Sequence, residues 1–431
     1  MKISSKSQVI NFLDSYIPRD KQYVFQGEAG LSRMKYLMSL LDNPQEKVKI
    51  IHIAGTSGKG STAYFTSRIL HDQGFTVGLS VSPHLIDFRE RCMINDQYLN
   101  WEEVERFIEQ IRAAIVRVEE SAHGKPTYYE VVTALMFTIF ADKKVDYAVV
   151  ETGLGGTYDG TNVILNPNKV CIITKIGFDH MEILGNTVSE IAAQKAGIIQ
   201  KGNMTFSTIQ DESIKKVLDE RALAQNTQLI YVEPKIDSGL KLSLLGEFQI
   251  ENCALALATV RYLEKRDAWK LETKRLGDSL RLIEIPGRMQ KIVYKKKEII
   301  LDGAHNPQKM AALIQSLDKL YKGQKLDFLI ALKKGKDYES VLKLIIPKAS
   351  SITFTAFFLN KQGFPIQAED PANLQALATK IGYDSSVVIK DPKKALEEAL
   401  KKSHDPLIIT GSFYLLSELY VILNEVKNLG V

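Results

Sequence analysis

One segment constrains the fold more than any other. Lys49-Ile50-Ile51-His52-Ile53-Ala54 is a short, largely apolar run that leads directly into Gly55-Thr56-Ser57-Gly58-Lys59-Gly60-Ser61. An apolar run of this length before a glycine-rich turn predicts a buried strand. Ser61 to Gln73 then has helical composition, Gly74 is a stop signal, and Thr76 to Val81 returns to strand character. Strand, turn, helix and strand in about 35 residues make a βαβ unit, which demands a parallel sheet.

The turn inside this unit suits a phosphate. It departs from the strict GxxxxGK[ST] pattern, because Gly55 precedes Gly58 by three residues and Gly60 separates Lys59 from Ser61. The physical logic is unaffected. Glycines let backbone N–H groups turn towards phosphate oxygens, and the following helix N-terminus adds partial positive charge. Lys59 can reach terminal phosphates, and Ser61 or Thr62 can meet a magnesium ion. The alternative is a glycine-rich strand-to-helix turn with no ligand.

The rest of the chain repeats the alternation. Trp101 to Val118 has the charges of an amphipathic helix on one face, and Thr133 to Ala141 is a largely apolar helix. Val145 to Val150 and Val170 to Thr174 read as strands, placing Glu151 and the turn Gly177-Phe178-Asp179-His180 at their carboxyl ends. In open α/β sheets ligands bind at that edge. The chain breaks at Ile285-Pro286-Gly287-Arg288, and Lys295-Lys296-Lys297 suits a hairpin turn. A second series of strands follows: Ile299–Leu301, Phe328–Ala331, Ile352–Thr355 and Leu407–Thr410. The reading is α/β, with a large P-loop-type, mostly parallel sheet domain flanked by helices over residues 1–286. A linker at 287–297 leads to a smaller, Rossmann-like α/β domain over 298–431. A chain of 431 residues fits that division.

Composition narrows the function. A net charge of +5 is too mild for a nucleic-acid stripe but is compatible with an anionic small substrate. Cys92, Cys171 and Cys253 are far apart, which argues against a disulfide framework and for a reducing, cytoplasmic setting. The start, Met1 to Lys6, lacks the apolar run of a signal peptide, and no stretch approaches a membrane span. Nothing demands more than a monomer.

Local sequence leaves several residues open. Glu151 could hold a hard cation or be a solvated strand-end carboxylate. His180 could be a ligand or a structural histidine. Lys195, in Ala192-Ala193-Gln194-Lys195-Ala196-Gly197-Ile198, reads locally as an ordinary helix lysine. Asp302-Gly303-Ala304-His305-Asn306-Pro307 is a binding loop or a plain Asn-Pro turn. Arg288 is a phosphate clamp or a surface arginine.

In combination and in order, these segments resemble the folylpolyglutamate synthase family, a branch of the Mur ligase superfamily. The resemblance runs through Gly30-Leu31-Ser32-Arg33, His52 to Ser61, Ser82-Pro83-His84-Leu85, Glu90-Arg91 and Glu151 to Gly156. It continues through Asp159-Gly160-Thr161-Asn162, Ile176 to His180, Lys195 to Ile199, Pro286-Gly287-Arg288, Leu301 to Pro307 and Thr410-Gly411-Ser412. It implies an ATP-dependent amide ligase acting on folate or dihydropteroate and L-glutamate, with no nucleic-acid or membrane partner. It implies that Gly58, Lys59, Gly60 and Ser61 hold ATP phosphates and that Asn252, Arg288, Asp302 and His305 contact ATP. A pair of magnesium ions would be bound by Ser61, Ser82, Glu151, His180 and a carbamate on Lys195. Lys59, Lys195 and His180 would be catalytic. Thr127, Tyr128, Tyr129, Glu130, Tyr158, Asp159 and Gly160 match segments that touch the pterin, with the glutamate pocket placed near Ser412. The chain departs from the family pattern at Ser57 (usually Asn), Gln194 (usually Glu) and Thr157 (often Arg). The rival readings are a cell-wall Mur ligase acting on a UDP-muramyl substrate and a nucleotide-gated binding protein.

Overall fold

Side-chain alternation along the central strands sorts them between two cores. In the computed structural model, residues 5–18, 25–359, 366–402 and 406–425 are described. Met1 to Ser4 and the final 426–431 of the expected second domain lie outside them. The first sheet is built from β1 (Lys49–Ala54), β2 (Val77–Ser80), β3 (Met93–Ile94), β4 (Tyr147–Glu151), β5 (Val170–Ile173), β6 (Met204–Thr208) and β7 (Gln228–Val232), in the order β3-β2-β4-β1-β5-β6-β7. All neighbours pair in parallel except β2 with β3. Ile51, Ile53, Tyr147, Val149, Val170 and Ile172 pack on one face, against helices Lys59–Asp72 and Phe248–Arg266. Ile50, Ala148 and Val150 pack on the other, against helices that include Trp101–Glu119 and Tyr128–Asp142. Both faces are covered, which is why these strands read as continuous apolar runs rather than alternating ones.

The second sheet is built from β8 (Gln290–Tyr294), β9 (Lys297–Leu301), β10 (Leu326–Ile330), β11 (Ala349–Phe354), β14 (Ser386–Val388) and β15 (Leu407–Thr410). A separate two-stranded ribbon is formed by β12 (Phe358–Leu359) and β13 (Ile366–Gln367). The order is β14-β11-β10-β15-β9-β8, parallel except for the β8–β9 hairpin. Residues 290–294, which the sequence places in a connecting segment, are therefore a strand. Gln290, Ile292 and Tyr294 face inwards while Lys291 and Val293 face out. Lys295 and Lys296 both adopt positive φ, at 49° and 65°, as a two-residue hairpin turn requires. No helix among the described residues is long and apolar enough to cross a membrane.

The carboxyl ends of β1, β2, β4 and β5 and those of β9, β10 and β15 look into one cavity of about 750 Å³ between the sheets.

Candidate active site

The phosphate loop leaves β1 at Ala54 and is anchored from behind. The Lys175 carbonyl accepts from the N–H groups of Thr56 (2.9 Å) and Ser57 (3.1 Å), and Thr56 Oγ1 donates to the Gly177 carbonyl at 3.0 Å. The helix begins at Lys59, two residues earlier than composition suggests, with Gly58 as its N-cap. Gly58 has φ +93°, and a Cβ there would stand 2.2 Å from Asn252 Oδ1, so both conformation and space require glycine. First-turn N–H groups of a helix lack intrahelical acceptors and face an anion with the helix dipole behind them. Lys59 Nζ lies 3.6 Å from Glu151 Oε1, and Glu151 Oε2 accepts from the Ser82 N–H at 3.0 Å. One buried carboxylate at the end of β4 thus orders both the loop lysine and the Ser82 turn.

Lys195 is buried at the end of helix Val188–Ala196, and its Nζ donates to the Gly55 carbonyl at 2.9 Å. Burial, reinforced by the nearby Lys59 charge, lowers its pKa to about 7. An amine of that kind is substantially neutral at neutral pH, as nucleophilic capture of carbon dioxide requires. His180 caps a one-turn helix at Met181–Leu184 with φ +51° and stays partly open to the cavity.

Asp179 is the meeting point of the two domains. It accepts from Lys336 Nζ (3.1 Å) and Asn306 Nδ2 (3.1 Å), and Lys309 Nζ lies 3.7 Å away. Burial alone would raise its pKa; the neighbouring charges, Lys309 foremost and Lys336 among them, outweigh that and hold the carboxyl well below its usual range. His305 Nδ1 lies 2.8 Å from the Gly303 carbonyl, and its Nε2 lies 3.2 Å from Lys309 Nζ. Burial and Lys309 push its pKa well below the ordinary value. The neutral ring therefore donates from Nδ1 and accepts at Nε2. Asp302 accepts at both oxygens from backbone, the N–H groups of Met289 and Ala304, each at 2.9 Å. It shapes the loop that presents His305. The Arg288 guanidinium sits over the Phe413 ring, 4.1 Å from its centroid, and the neighbouring Ser412 is buried, with its Oγ accepting from the Tyr414 N–H.

The opposite wall is aromatic. Tyr129 donates to Asp159 Oδ1 at 3.0 Å and accepts from the Gly153 N–H at 2.8 Å. Asp159 also accepts from the N–H groups of Leu154 and Thr161, so it braces the wall from within. Thr127 and Glu130 form a capping box on helix Tyr128–Asp142, and Arg33 grips both Glu130 oxygens, at 2.9 and 3.0 Å. Their polar atoms are occupied by the fold even though both residues line the cavity. Tyr158 and Gly160 complete that wall. Tyr128 does not line the cavity. It packs on the hydrophobic core beneath, as its place one residue along the helix from Tyr129 dictates. The other site residues that the resemblance implied line the same cavity, whereas Thr62, the alternative to Ser61, is buried outside it.

Among the described residues no group of three or more His, Cys, Asp or Glu is arranged to hold a metal. The donors on offer are of a mixed kind: the Glu151 carboxylate, the His180 imidazole, the Ser61 and Ser82 hydroxyls and the Lys195 amine. Magnesium prefers oxygen ligands and keeps waters. A carbamate on Lys195 would add the second carboxylate-like oxygen donor, so the set fits.

Comparison with known proteins follows the same outline. Residues 53–233 match the Mur ligase middle domain, and residues 283–422 match the C-terminal domain of dihydrofolate synthetase. The chain is 32% identical over 425 residues to the dihydrofolate synthase/folylpolyglutamate synthase of Bacillus subtilis (strain 168), covering 92% of this chain and 95% of that protein. The chain belongs to the dihydrofolate synthase/folylpolyglutamate synthase family. It is equally, 32%, identical to dihydrofolate synthetase of Saccharomyces cerevisiae, over 92% of this chain and 98% of that one. The structure of Mycobacterium tuberculosis folylpolyglutamate synthase complexed with ADP superposes with a TM-score of 0.84 at 26% identity, covering 97% of this chain and 98% of that one.

The sequence reading passed over Asp179, Gln308, Lys309 and Lys336 as site residues. Lys309 and Gln308 occupy the first turn of helix Pro307–Leu320, immediately after the Asp302–Pro307 loop. A helix start following a polar loop was the one available signal.

Proposed function

We propose that the chain joins L-glutamate to the carboxylate of a folate or of 7,8-dihydropteroate, at the expense of ATP. The observation that carries this reading is the convergence on one cavity of the phosphate loop with Lys59, the cations Arg288, Lys309 and Lys336 from the second half of the chain, and the Tyr129–Tyr158 wall. Two anionic reactants and a planar ring system are what such a chamber accommodates.

In the proposed reaction a folate carboxylate oxygen attacks the γ-phosphorus, ADP leaves, and an acyl phosphate forms. The glutamate amine attacks the acyl carbon, loses its proton, and expels phosphate. Backbone N–H groups of the loop and Lys59 stabilise charge on the transferring group. The cations of the second domain draw the anionic reactants inwards and exclude water as the domains meet. Ser82, Glu151, His180 and a carbamate on Lys195 would hold magnesium, with Ser61 on the nucleotide side; when bound, the metal spreads the negative charge of the phosphoryl group. Asn252, packed on Gly58, and Arg288, Asp302 and His305 form the nucleotide side of the chamber. Tyr129, Tyr158 and Gly160 form the pterin side, and Ser412 lies towards the amino acid. A single chain supplies every one of these groups. The buried free thiols Cys92, Cys171 and Cys253 accord with a reducing cytoplasm.

The test is ADP release with dihydropteroate and tetrahydrofolate side by side, each with L-glutamate, followed by mass analysis of the products. A product heavier by one glutamyl residue supports the reading and separates the two substrates. ADP release without amide, or turnover only with a UDP-muramyl substrate, would refute it.

A further inference from the structure

The first turn of helix Pro307–Leu320 lies across both working turns of the first domain. Gln308 reaches into the space left by Gly177, where a Cβ would stand 2.6 Å from Gln308 Oε1. It accepts there from Ser57 Oγ of the phosphate loop at 3.2 Å. On the same helical turn, Asn306 and Lys309 reach Asp179, and Lys336 reaches it from the loop after β10. Asp179 faces both ways. Its Oδ1 also accepts from the N–H of His180 at 3.1 Å, in the turn where His180 adopts φ +51°. A non-glycine residue in that region needs local support. The carboxylate that supports it is the one held by the second domain.

We propose that Asp179 is a positioning residue, and that the grip of Asn306, Lys309 and Lys336 on its carboxylate sets the His180 turn in its working geometry only when the two domains are closed. The inference rests on the ligase reading above. Its chain of contacts is continuous: second-domain cation, Asp179 carboxylate, His180 backbone. The Ser57–Gln308 bond brings the phosphate loop into register by the same helical turn. A carboxylate with about a tenth of its side chain exposed and several cation partners is sensitive to the loss of any one of them. The companion consequence is that an open molecule holds ATP by the phosphate loop alone, without the Arg288, Asp302 and His305 side of the chamber, and does not complete the site.

The experiment compares Lys336→Met, Lys336→Arg, Asp179→Asn and the double variant Asp179→Asn/Lys336→Met. Amide formation is measured alongside ATP affinity, and domain closure is followed by small-angle scattering with a non-hydrolysable ATP analogue. We expect Lys336→Met to lower kcat by about 10- to 100-fold, the loss expected from slight misplacement of a reacting group. ATP affinity should fall, by linkage to the lost closure, far less than kcat, and nucleotide-induced compaction should be lost. Lys336→Arg should restore most of both. The double variant should lose no more than the worse single variant, because both break one link. Independent, multiplicative losses in the double variant, or full compaction in Lys336→Met, would overturn the proposal. So would a rise in the KM for ATP at unchanged kcat. Should the unaltered chain form no amide, the ligase reading fails, and compaction in Lys336→Met alone still decides the role of the grip.

Discussion

Lys195 Nζ donates to the Gly55 carbonyl across 2.9 Å, tying the end of helix Val188–Ala196 to the first residue of the phosphate loop. Replacing the side chain should therefore affect both loop order and metal retention. We expect Lys195→Ala to lose nearly all amide synthesis and to regain part of it with added formate or acetate, whose carboxylate fits the vacated space. In bicarbonate buffer the unaltered chain should gain the mass of one carbon dioxide, lost in Lys195→Ala. An active Lys195→Ala without added carboxylate would remove the carbamate from the scheme.

Lys59, held by Glu151, is the phosphate-facing cation of the proposed reaction. Removing it takes away a donor aimed at developing charge, an effect of about 100- to 1,000-fold in kcat for a single such group. Lys59→Ala should abolish glutamate-dependent ADP formation to within that range. It should also leave Glu151 buried without its 3.6 Å partner. A steady-state ADP assay decides this, and full retained activity would exclude Lys59 from the phosphate site.

Gly58→Ala tests the loop by shape. The new Cβ would collide with Asn252 Oδ1 and adopt φ +93°, a conformation costing a residue with a side chain about 1 kcal/mol or more. ATP affinity should fall sharply. Combining Gly58→Ala with Asn252→Ala removes the collision but not the backbone strain, so titration calorimetry should show partial recovery at most.

Lys309 gives a pH signature. Burial lowers its pKa from 10.5 to about 7, against the attraction of Asp179 and with the help of Lys59. Between those values the unfolded chain binds the extra proton and the native chain does not, so this group makes stability rise with pH across the window. Below about pH 7 both states are charged and the burial penalty, on the order of a few kcal/mol, is fully present. Lys309→Met lacks that slope. Its loss of the Asp179 contact is a constant offset, because Asp179 stays ionised throughout the window. Denaturant melts of the metal-free protein should show the unaltered chain gaining on Lys309→Met as pH rises from about 7 towards 10.5. A constant difference would mean that Lys309 keeps an ordinary lysine pKa.

Legibility from sequence followed the range of the interactions. β1, the helix after it and β4 were readable because strand, turn and helix signals are local. β8 was missed because its alternation is brief and a basic turn follows it. Lys195 shows the limit most clearly. On its own helix it is unremarkable, and only the arrival of Gly55, 140 residues away, buries it. Asp179 was visible as a turn residue, but its partners come from 127 and 157 residues further along. Long-range placement also explains Tyr128. Thr127, Tyr129 and Glu130 line the cavity, yet the helix turns Tyr128, between them in sequence, to the core.

The Tyr129 ring fills the space that a side chain on Gly153 would need, with its carbon 2.6 Å from the ideal Cβ position. Its hydroxyl simultaneously joins Gly153 to Asp159. This wall therefore cannot be retuned by a single substitution. A larger residue at 153 evicts the tyrosine, and a smaller ring at 129 strands the aspartate. A lineage that reshapes this wall must change these positions together, through coupled replacements rather than gradual drift.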